Sequence, residues 1–505
     1  MNWYIIIFIA YFVRRLIILC KNYWLARQWG CEPMQEFGGR FGIISLINVI
    51  KARREGFLVD YQKQTYIETD TDTIKSRLFH KQLIHTKNAE NVKAVVATQY
   101  DDFSIGKRHK FFKPLLGNGI FASEGERWQH SRTMLRPQFA RERVAHVQAL
   151  EPHLQVFAKH VRKSEGGVFN IQILFHKLTI DAATEFLFGE SVDSLRDASI
   201  GYESLPTDID GKAGFDDAFN ISQNYMMLRA LAQDLYFLFD SKEFREANRK
   251  IHKFTGHYVH KALETTQEEL DAKSRDGYIF LYELVKQTRD PIILQDELLS
   301  IMLAGRNTTA SLLSFLFFEL ARNPEIWSKL KREVYEHFGN GDDVKLEKIT
   351  FESMKKCTYL KWVINETLRM YPSVPQNFRV AKKDTTLPRG GGKDQQSPIF
   401  VPKGQFVLYT TYSMHRLEAY YGKDADVYRP ERWENLRNIG WAYMPFSSGP
   451  RVCLGQQFAL TEASYITIRL AQMFPNLESH DSKYPPPKLT NSTMRHLDGV
   501  FISLH

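Results

Sequence analysis

"FSSGPRVCLGQQFAL", residues Phe446 to Leu460, sets one cysteine between a loop that cannot be helical and an apolar stretch that reads as a helix. Gly449 and Gly455 let backbone amides approach the Cys453 sulfur, Pro450 stiffens the turn, and a helix starting near Leu454 would aim the positive end of its dipole at the thiol. These features favour negative charge on sulfur. A thiolate that ligates iron must stay deprotonated, open to the metal on one side and shielded on the other. Phe446 is placed to cover such a site and Arg451 to reach an anionic cofactor edge. The pattern FxxGxRxCxG is complete, which weighs against an ordinary free cysteine in a turn.

The other cysteines do not compete for a role. Cys20, Cys31 and Cys357 are far apart, share no metal-finger spacing and form no disulfide framework, and no CxxCH haem-attachment site occurs. The 505 residues are 43% hydrophobic and 25% charged, which suits a packed globular chain large enough to hold an internal ligand. The formal charge of +9 suits an acidic partner or a membrane surface. Basic residues alternate with acids, however, so no tract points to nucleic acid.

The first stretch, "MNWYIIIFIAYFVRRLIILCK", has eleven apolar or aromatic-rich residues from Trp3 to Val13, then Arg14 and Arg15. A secretory signal carries its charges before the apolar run, so this order indicates an uncleaved anchor with the bulk of the chain on the cytosolic side. Eleven helical residues cover only roughly 17 Å of a hydrocarbon core about 30 Å thick, so the arginines must snorkel or the segment must lie partly in the interface. The expected layout is an anchor at 1–21, a linker and membrane-proximal segment at 22–59, and one catalytic domain at 60–505. Helical signals dominate, with a long helix expected from Asp296 to Arg322 and stopped by Asn323-Pro324. Short strands are expected near 57–61, 398–401, 405–409 and 500–504, and "RGGG" at Arg389–Gly392 as a hairpin turn.

The Cys453 segment resembles the haem-binding loop of the cytochrome P450 superfamily, the haem-thiolate monooxygenases. The resemblance implies a mainly α fold with small β-sheets (α+β), a helix-rich prism around haem b, with Cys453 as axial iron ligand favouring O–O cleavage. "NETLRMYP" matches the family's ExxR, and with "RPERW" it implies a buried structural network of Glu366, Arg369 and Arg432. "GERWQHSRTMLRPQF" resembles the family's WxxxR. It implies Trp128 and Arg132 as partners of the haem propionates, with Arg379 and Arg451, because two carboxylates are costly to bury unpaired. "AGRNTTA" resembles the oxygen-activation motif, in which Ala304 and Gly305 make room for dioxygen and Thr308 organises proton delivery where regular helix is interrupted. Asn307 stands where the family usually has Asp or Glu, and an amide cannot ionise.

Three segments resemble the yeast and fungal alkane- and fatty-acid-oxidising subfamily: "GKRHKFFKPLLGNGIF", "TTLPRGGGKDQQSPIFVPKGQ" and "CLGQQFALTEASY". The departures are an amino terminus shorter than usual, Asn307, and Gln376 in place of a common arginine. The resemblance implies terminal hydroxylation of long-chain alkanes or fatty acids at the endoplasmic reticulum. Its pocket walls would come from Phe111–Phe121, the long helix before Ala304, Val374-Pro375 and the turn near Met494. It also implies NADPH-cytochrome P450 reductase as electron donor, with cytochrome b5 as a second partner. The reductase would dock on the Cys453 side near basic residues such as Lys107 and Arg108. No dinucleotide fingerprint follows a strand, so the reductase is a separate chain. The alternatives are a haem-thiolate isomerase or dehydratase, an oxygenase of another lipid, and a non-enzymatic haem carrier or gas sensor.

Overall fold

The structure is a computed structural model that describes all residues except 1, 2, 39–41, 79, 80, 141–146, 203–211, 213, 267, 270–277 and 438. The helices of nine residues or more are α1 (Trp3–Gln28), α2 (Ile43–Arg54), α3 (Leu58–Glu68), α4 (Arg108–Leu116), α5 (Gly125–Leu135), α6 (Glu151–Lys163), α7 (Ile171–Phe188), α8 (Phe215–Ala232), α9 (Lys242–Glu264), α10 (Pro291–Arg322), α11 (Pro324–Phe338), α12 (Thr358–Met370) and α13 (Gln456–Met473). The strands are β1 (Gln35–Phe37), β2 (Thr73–Leu78), β3 (Lys81–Thr86), β4 (Phe103–Ser104), β5 (Phe169–Asn170), β6 (Gln376–Ala381), β7 (Thr385–Gly391), β8 (Ser397–Val401), β9 (Phe406–Thr410), β10 (Leu477–Ser479), β11 (Lys488–Thr490), β12 (Met494–His496) and β13 (Phe501–Leu504). They fall into two compact units, the first Met1–Gly106, Pro375–Gly422 and Asn438–Val452, the second Lys107–Val374, Lys423–Arg437 and Cys453–His505.

The first unit is built on a six-stranded mixed sheet in the order β1-β2-β3-β9-β6-β4. Alternation along β9 turns Val407 and Tyr409 inward, where they join Ile84, Val92, Val95, Leu387, Ile399 and Val401 in one apolar cluster. Strand signals at 398–401, 405–409 and 500–504 match β8, β9 and β13, whereas 57–61 opens helix α3. The β7–β8 hairpin forms as expected, but Arg389–Gly391 lie inside β7 and the turn follows them.

The reason lies in the chain that leaves α1. The helix extends through Gln28, so its 26 residues span roughly 39 Å, enough to cross a bilayer with tilt. None of its residues is buried. Arg14 and Arg15 stand at its middle rather than at its end. Beyond it, the Glu32 amide donates to the Pro398 carbonyl at 2.9 Å and the Gly392 amide to the Pro33 carbonyl at 3.1 Å. A Cβ at Gly391 would lie 2.9 Å from the Glu32 carbonyl oxygen, so only glycine admits this approach. Trp29 packs on Phe400, and Lys21 pairs with Asp384 at 2.7 Å. Residues 22–59, expected as a linker and membrane-proximal segment, hold the end of α1, a sheet strand, helix α2 and the start of α3.

The second unit surrounds α10, whose many buried residues mark a helix covered on all sides. It packs against α4, α7, α9, α11, α12 and α13. The helix starts five residues before the expected Asp296, because Asp290 caps the amides of Ile292 and Ile293 and Pro291 fits the first turn. It stops as expected at Asn323.

Helix α12 carries the polar centre of this unit. Glu366 and Arg369 are fully buried and make two parallel bonds of 2.9 Å. The same carboxylate accepts Arg432 Nε at 2.8 Å, Trp433 Nε1 at 3.0 Å and the Arg429 amide at 2.9 Å. The guanidiniums also donate outward, Arg369 to the Ala425 carbonyl and Arg432 to those of Asp424 and Val427. Burial alone would raise the Glu366 pKa, but Arg369 and Arg432 overrule it and leave the carboxyl below its ordinary range.

Removing one member leaves the others charged in a dry interior. Arg369→Ala is expected to cost about 3–5 kcal/mol, read as a lower denaturation midpoint and loss of haem-loaded protein. Arg429→Ala, which removes only the outer pair with Asp424, should cost less than about 1 kcal/mol. Because the folded Glu366 value is lowered, its contribution is complete above the ordinary carboxylate pKa and fades as pH falls toward the folded value.

Candidate active site

The oxygen-side motif lies near the middle of α10. The helix is unbroken through Ala304–Thr308, contrary to the expected interruption. The threonine instead bonds back within it, Thr308 Oγ1 donating to the Ala304 carbonyl at 2.6 Å. A Cβ added at Gly305 would meet nothing within 4 Å, so there is open space at this point of the helix. Ser373 Oγ donates to the Thr308 carbonyl at 2.9 Å, the Met494 amide to the Ser373 carbonyl at 2.9 Å, and Ser311 Oγ to the Met494 carbonyl. Two of the expected pocket walls, next to Val374 and at Met494, are thereby tied to the motif.

Asn307 is buried and donates through Nδ2 to Gln223 Oε1 on α8 at 2.6 Å. Its neighbour Arg306 is almost wholly buried and donates to Asn220 Oδ1 at 2.9 Å and to Asp216. These bonds join α8 to α10 through long polar side chains. The amide at 307 is therefore a fixed hydrogen-bonding group without a titratable proton.

Cys453 opens the last stretch of the second unit, three residues before α13 begins at Gln456. Its side chain keeps accessible surface, yet protein surrounds it closely enough that burial raises the thiol above its ordinary value. The Gly455 amide, hydrogen-bonded to sulfur, and the Arg132 charge pull the other way without prevailing. A bound metal cation deprotonates a coordinating thiol outright.

Arg132 stacks over Trp128, centroid distance 5.7 Å, one turn away on α5. Trp128, Arg132 and Cys453 thus belong to one unit, with Arg132 in electrostatic reach of the sulfur. In the first unit, Arg379 on β6 is buried, donates through Nη1 to the Phe378 carbonyl at 2.8 Å, and leaves Nε without a hydrogen-bond partner. A buried guanidinium with an orphaned donor is costly unless an anion completes it. Arg451 Nε donates to the Tyr100 hydroxyl at 3.1 Å, and Phe446 is half-buried. Gly449, at φ +71°, lies directly on the Val96 carbonyl, leaving no room for a Cβ. Within the second unit, an accessible thiol with an amide donor and open space beside Gly305 suit an iron porphyrin; within the first, the incompletely bonded buried Arg379 suits a carboxylate.

Lys107 pairs with Asp234, and Arg108 opens α4, which packs on α8, α9 and α10. Sequence reasoning also missed Gln223, Ser373 and Tyr100, which no motif marks. Trp433 was within reach, standing beside Arg432 in "RPERW". Gln376, the departure on β6, accepts from Gln62 Nε2 at 2.9 Å.

Comparison with known proteins accords with this geometry. The family model described as Cytochrome P450 matches residues 41–501. The chain is similar to Cytochrome P450 52A12 of Debaryomyces hansenii, 60% identical over 95% of this chain and 93% of the relative. Its similarity to Cytochrome P450 52A3-B of Candida maltosa is 56% identity over 99% and 97%, and to Cytochrome P450 52A6 of Candida tropicalis 52% over 100% and 97%. A match of this length, over a fold of this kind, means that the chain belongs to the cytochrome P450 family, as a membrane-anchored haem b monooxygenase.

Proposed function

We propose that this chain hydroxylates the terminal carbon of long-chain alkanes or fatty acids, using NADPH electrons delivered singly by a separate cytochrome P450 reductase, with cytochrome b5 as a second donor. The observation that carries the substrate class is the exposed apolar helix α1, fixed to the fold by Lys21–Asp384 and the β7–β8 hairpin. A long apolar chain partitions into the bilayer, and an enzyme held there collects it. Arg14, Arg15, Lys21 and Arg27 all follow the first apolar run, which favours a cytosolic catalytic domain at the endoplasmic reticulum membrane. In this reading residues 60–505 carry catalysis and 1–21 the anchor, joined by 22–59.

Bound haem supplies the activation of dioxygen: with two electrons and two protons, one oxygen atom enters a C–H bond and the other leaves as water. Cys453 holds the iron through sulfur. Trp128, Arg132, Arg379 and Arg451 would hold the propionates, Phe446 would cover the sulfur, and Ala304 and Gly305 would leave space for dioxygen. Thr308 Oγ1 holds its proton on the Ala304 carbonyl, and turned away from it would offer that proton to bound dioxygen. Asn307 holds Gln223 and releases no proton, so supply falls to Thr308 and water. Terminal selectivity is a matter of positioning, since internal C–H bonds are weaker. Asn307 also favours one second reading, a haem-thiolate isomerase or dehydratase that needs no reductase. Substrate-stimulated NADPH consumption with reductase present decides against it.

Incubating the reconstituted pair with alkanes and fatty acids of graded length, and locating the hydroxyl by mass spectrometry, is expected to find it on the terminal carbon. Products oxidised mainly inside the chain would overturn terminal hydroxylation. Cys453→Ser is expected to abolish the long-wavelength Soret band of the ferrous carbonyl form. Asn307→Asp places a titratable carboxyl beside Gln223 and is expected to lower peroxide release per NADPH several-fold, in the direction of general acid assistance.

A further inference from the structure

Two acids on α10 stand outside the chemistry above. Asp296 and Glu297 precede Ala304 by eight and seven residues, roughly 10–12 Å along the helix axis. Only 8% and 2% of their surface is exposed. Asp296 Oδ2 accepts the backbone amide of Asn118 at 2.7 Å, and Glu297 Oε2 accepts that of Ile120 at 3.1 Å. Glu297 also bonds the side chain of Ser131 on α5, immediately before Arg132. The segment joining α4 to α5 is therefore fastened to α10 at two alternate amides, and α5 is fastened through the second of the same acids.

The segment is shaped for this contact. Gly117 has φ +54°, and a Cβ there would fall on the Asp296 carboxylate. A Cβ at Gly119 would lie 2.6 Å from the Asp296 carbonyl oxygen, which backbone cannot yield. Ser300 Oγ donates to that carbonyl at 2.8 Å, and Ser123 Oγ to the Gly119 carbonyl at 3.1 Å.

Neighbouring buried carboxyls are a costly choice where apolar side chains would pack at no such cost. Burial raises Asp296 and pushes Glu297 up to about 7, with Asp296 adding to the rise of Glu297. His252 on α9 and Arg127 on α5 face Asp296 as opposite charges, and Asp290 as a like one. What the acids provide is a defined position: they hold a glycine-rich turn that carries the buried Ile120 and follows the buried Phe111, Leu115 and Leu116 of α4.

We infer that Asp296 and Glu297 are positioning residues for the lipid chain, clasping residues 117–121 to α10 so that this turn forms a fixed wall beside the path to Ala304 and Gly305. The inference rests on the proposed terminal hydroxylation of long chains. A loosened wall lets the chain slide, so the clasp governs which carbon is presented as well as how tightly substrate binds.

The test uses the full-length holoenzyme. In Glu297→Ala, amide exchange over residues 115–123, followed by mass spectrometry, is expected to quicken at least tenfold. KM for a long-chain fatty acid is expected to rise more than kcat falls, and internal products to increase several-fold. Glu297→Gln keeps an acceptor for Ile120 and a donor for Ser131, and is expected to restore all three readouts. If Glu297→Ala does not accumulate, Asp296→Ala, which frees only the Asn118 amide, carries the same measurements. Unchanged exchange would overturn the clasp. Quickened exchange with unchanged KM and product distribution would overturn the positioning role. Failure of terminal hydroxylation itself is seen separately, as internal products from the unmodified enzyme.

Discussion

The carboxylate of Glu366, shared by two arginines, an indole and a backbone amide, is the interaction on which the remaining architecture depends. It fastens Lys423–Arg437 to α12 within the second unit, although the chain on both sides of that stretch belongs to the first. After Arg437 the chain passes to the first unit, which holds the Phe446–Arg451 loop, and it returns to the second at Cys453. In sequence that loop follows the segment held by the ion network and precedes α13. Buried ion networks are weak sources of stability compared with apolar packing. Their value here is register, since five donors on one carboxylate admit a single arrangement of the segment that leads to the cysteine.

What the sequence displayed openly was chemistry at short range. Glu366 and Arg369 share a helix face, and Asn323-Pro324 stops α10 where a stop was expected. The start of α10 was equally visible in Asp290-Pro291, a cap followed by a first-turn proline, and the acids Asp296 and Glu297 lie inside the helix. Those acids belong to another duty. At Phe57–Tyr61 the β-branched and aromatic residues suggested a strand, and tertiary packing made a helix of them. "RGGG" looked like a turn because glycine favours turns, while one of those glycines serves the approach of Glu32, a contact no local pattern reveals. Gln223, Ser373 and Tyr100 were illegible for the same reason: each acts through partners far away in sequence.

The site depends on charge supplied from outside the polypeptide. The thiol at 453 is raised by burial, and Arg379 keeps an unpaired buried donor. A cation completes the first, and an anion the second. On the oxygen side the chain is correspondingly quiet, with an amide at 307 and a hydroxyl turned into its own helix at 308. Reactivity is thereby assigned to the cofactor, and geometry to the protein.

The seam between the post-anchor segment and the β7–β8 hairpin bears on how a soluble form could be prepared. Deleting the chain from its start through Pro33 strips one hydrogen bond from β8 at Pro398 and one from Gly392, just past β7, and bares a margin lined with glycine, the sort of border along which copies stack. A cut placed inside α1 before Lys21 would spare both bonds, the Trp29–Phe400 contact and the ion pair to Asp384, and should yield a dispersed monomer where the longer truncation precipitates.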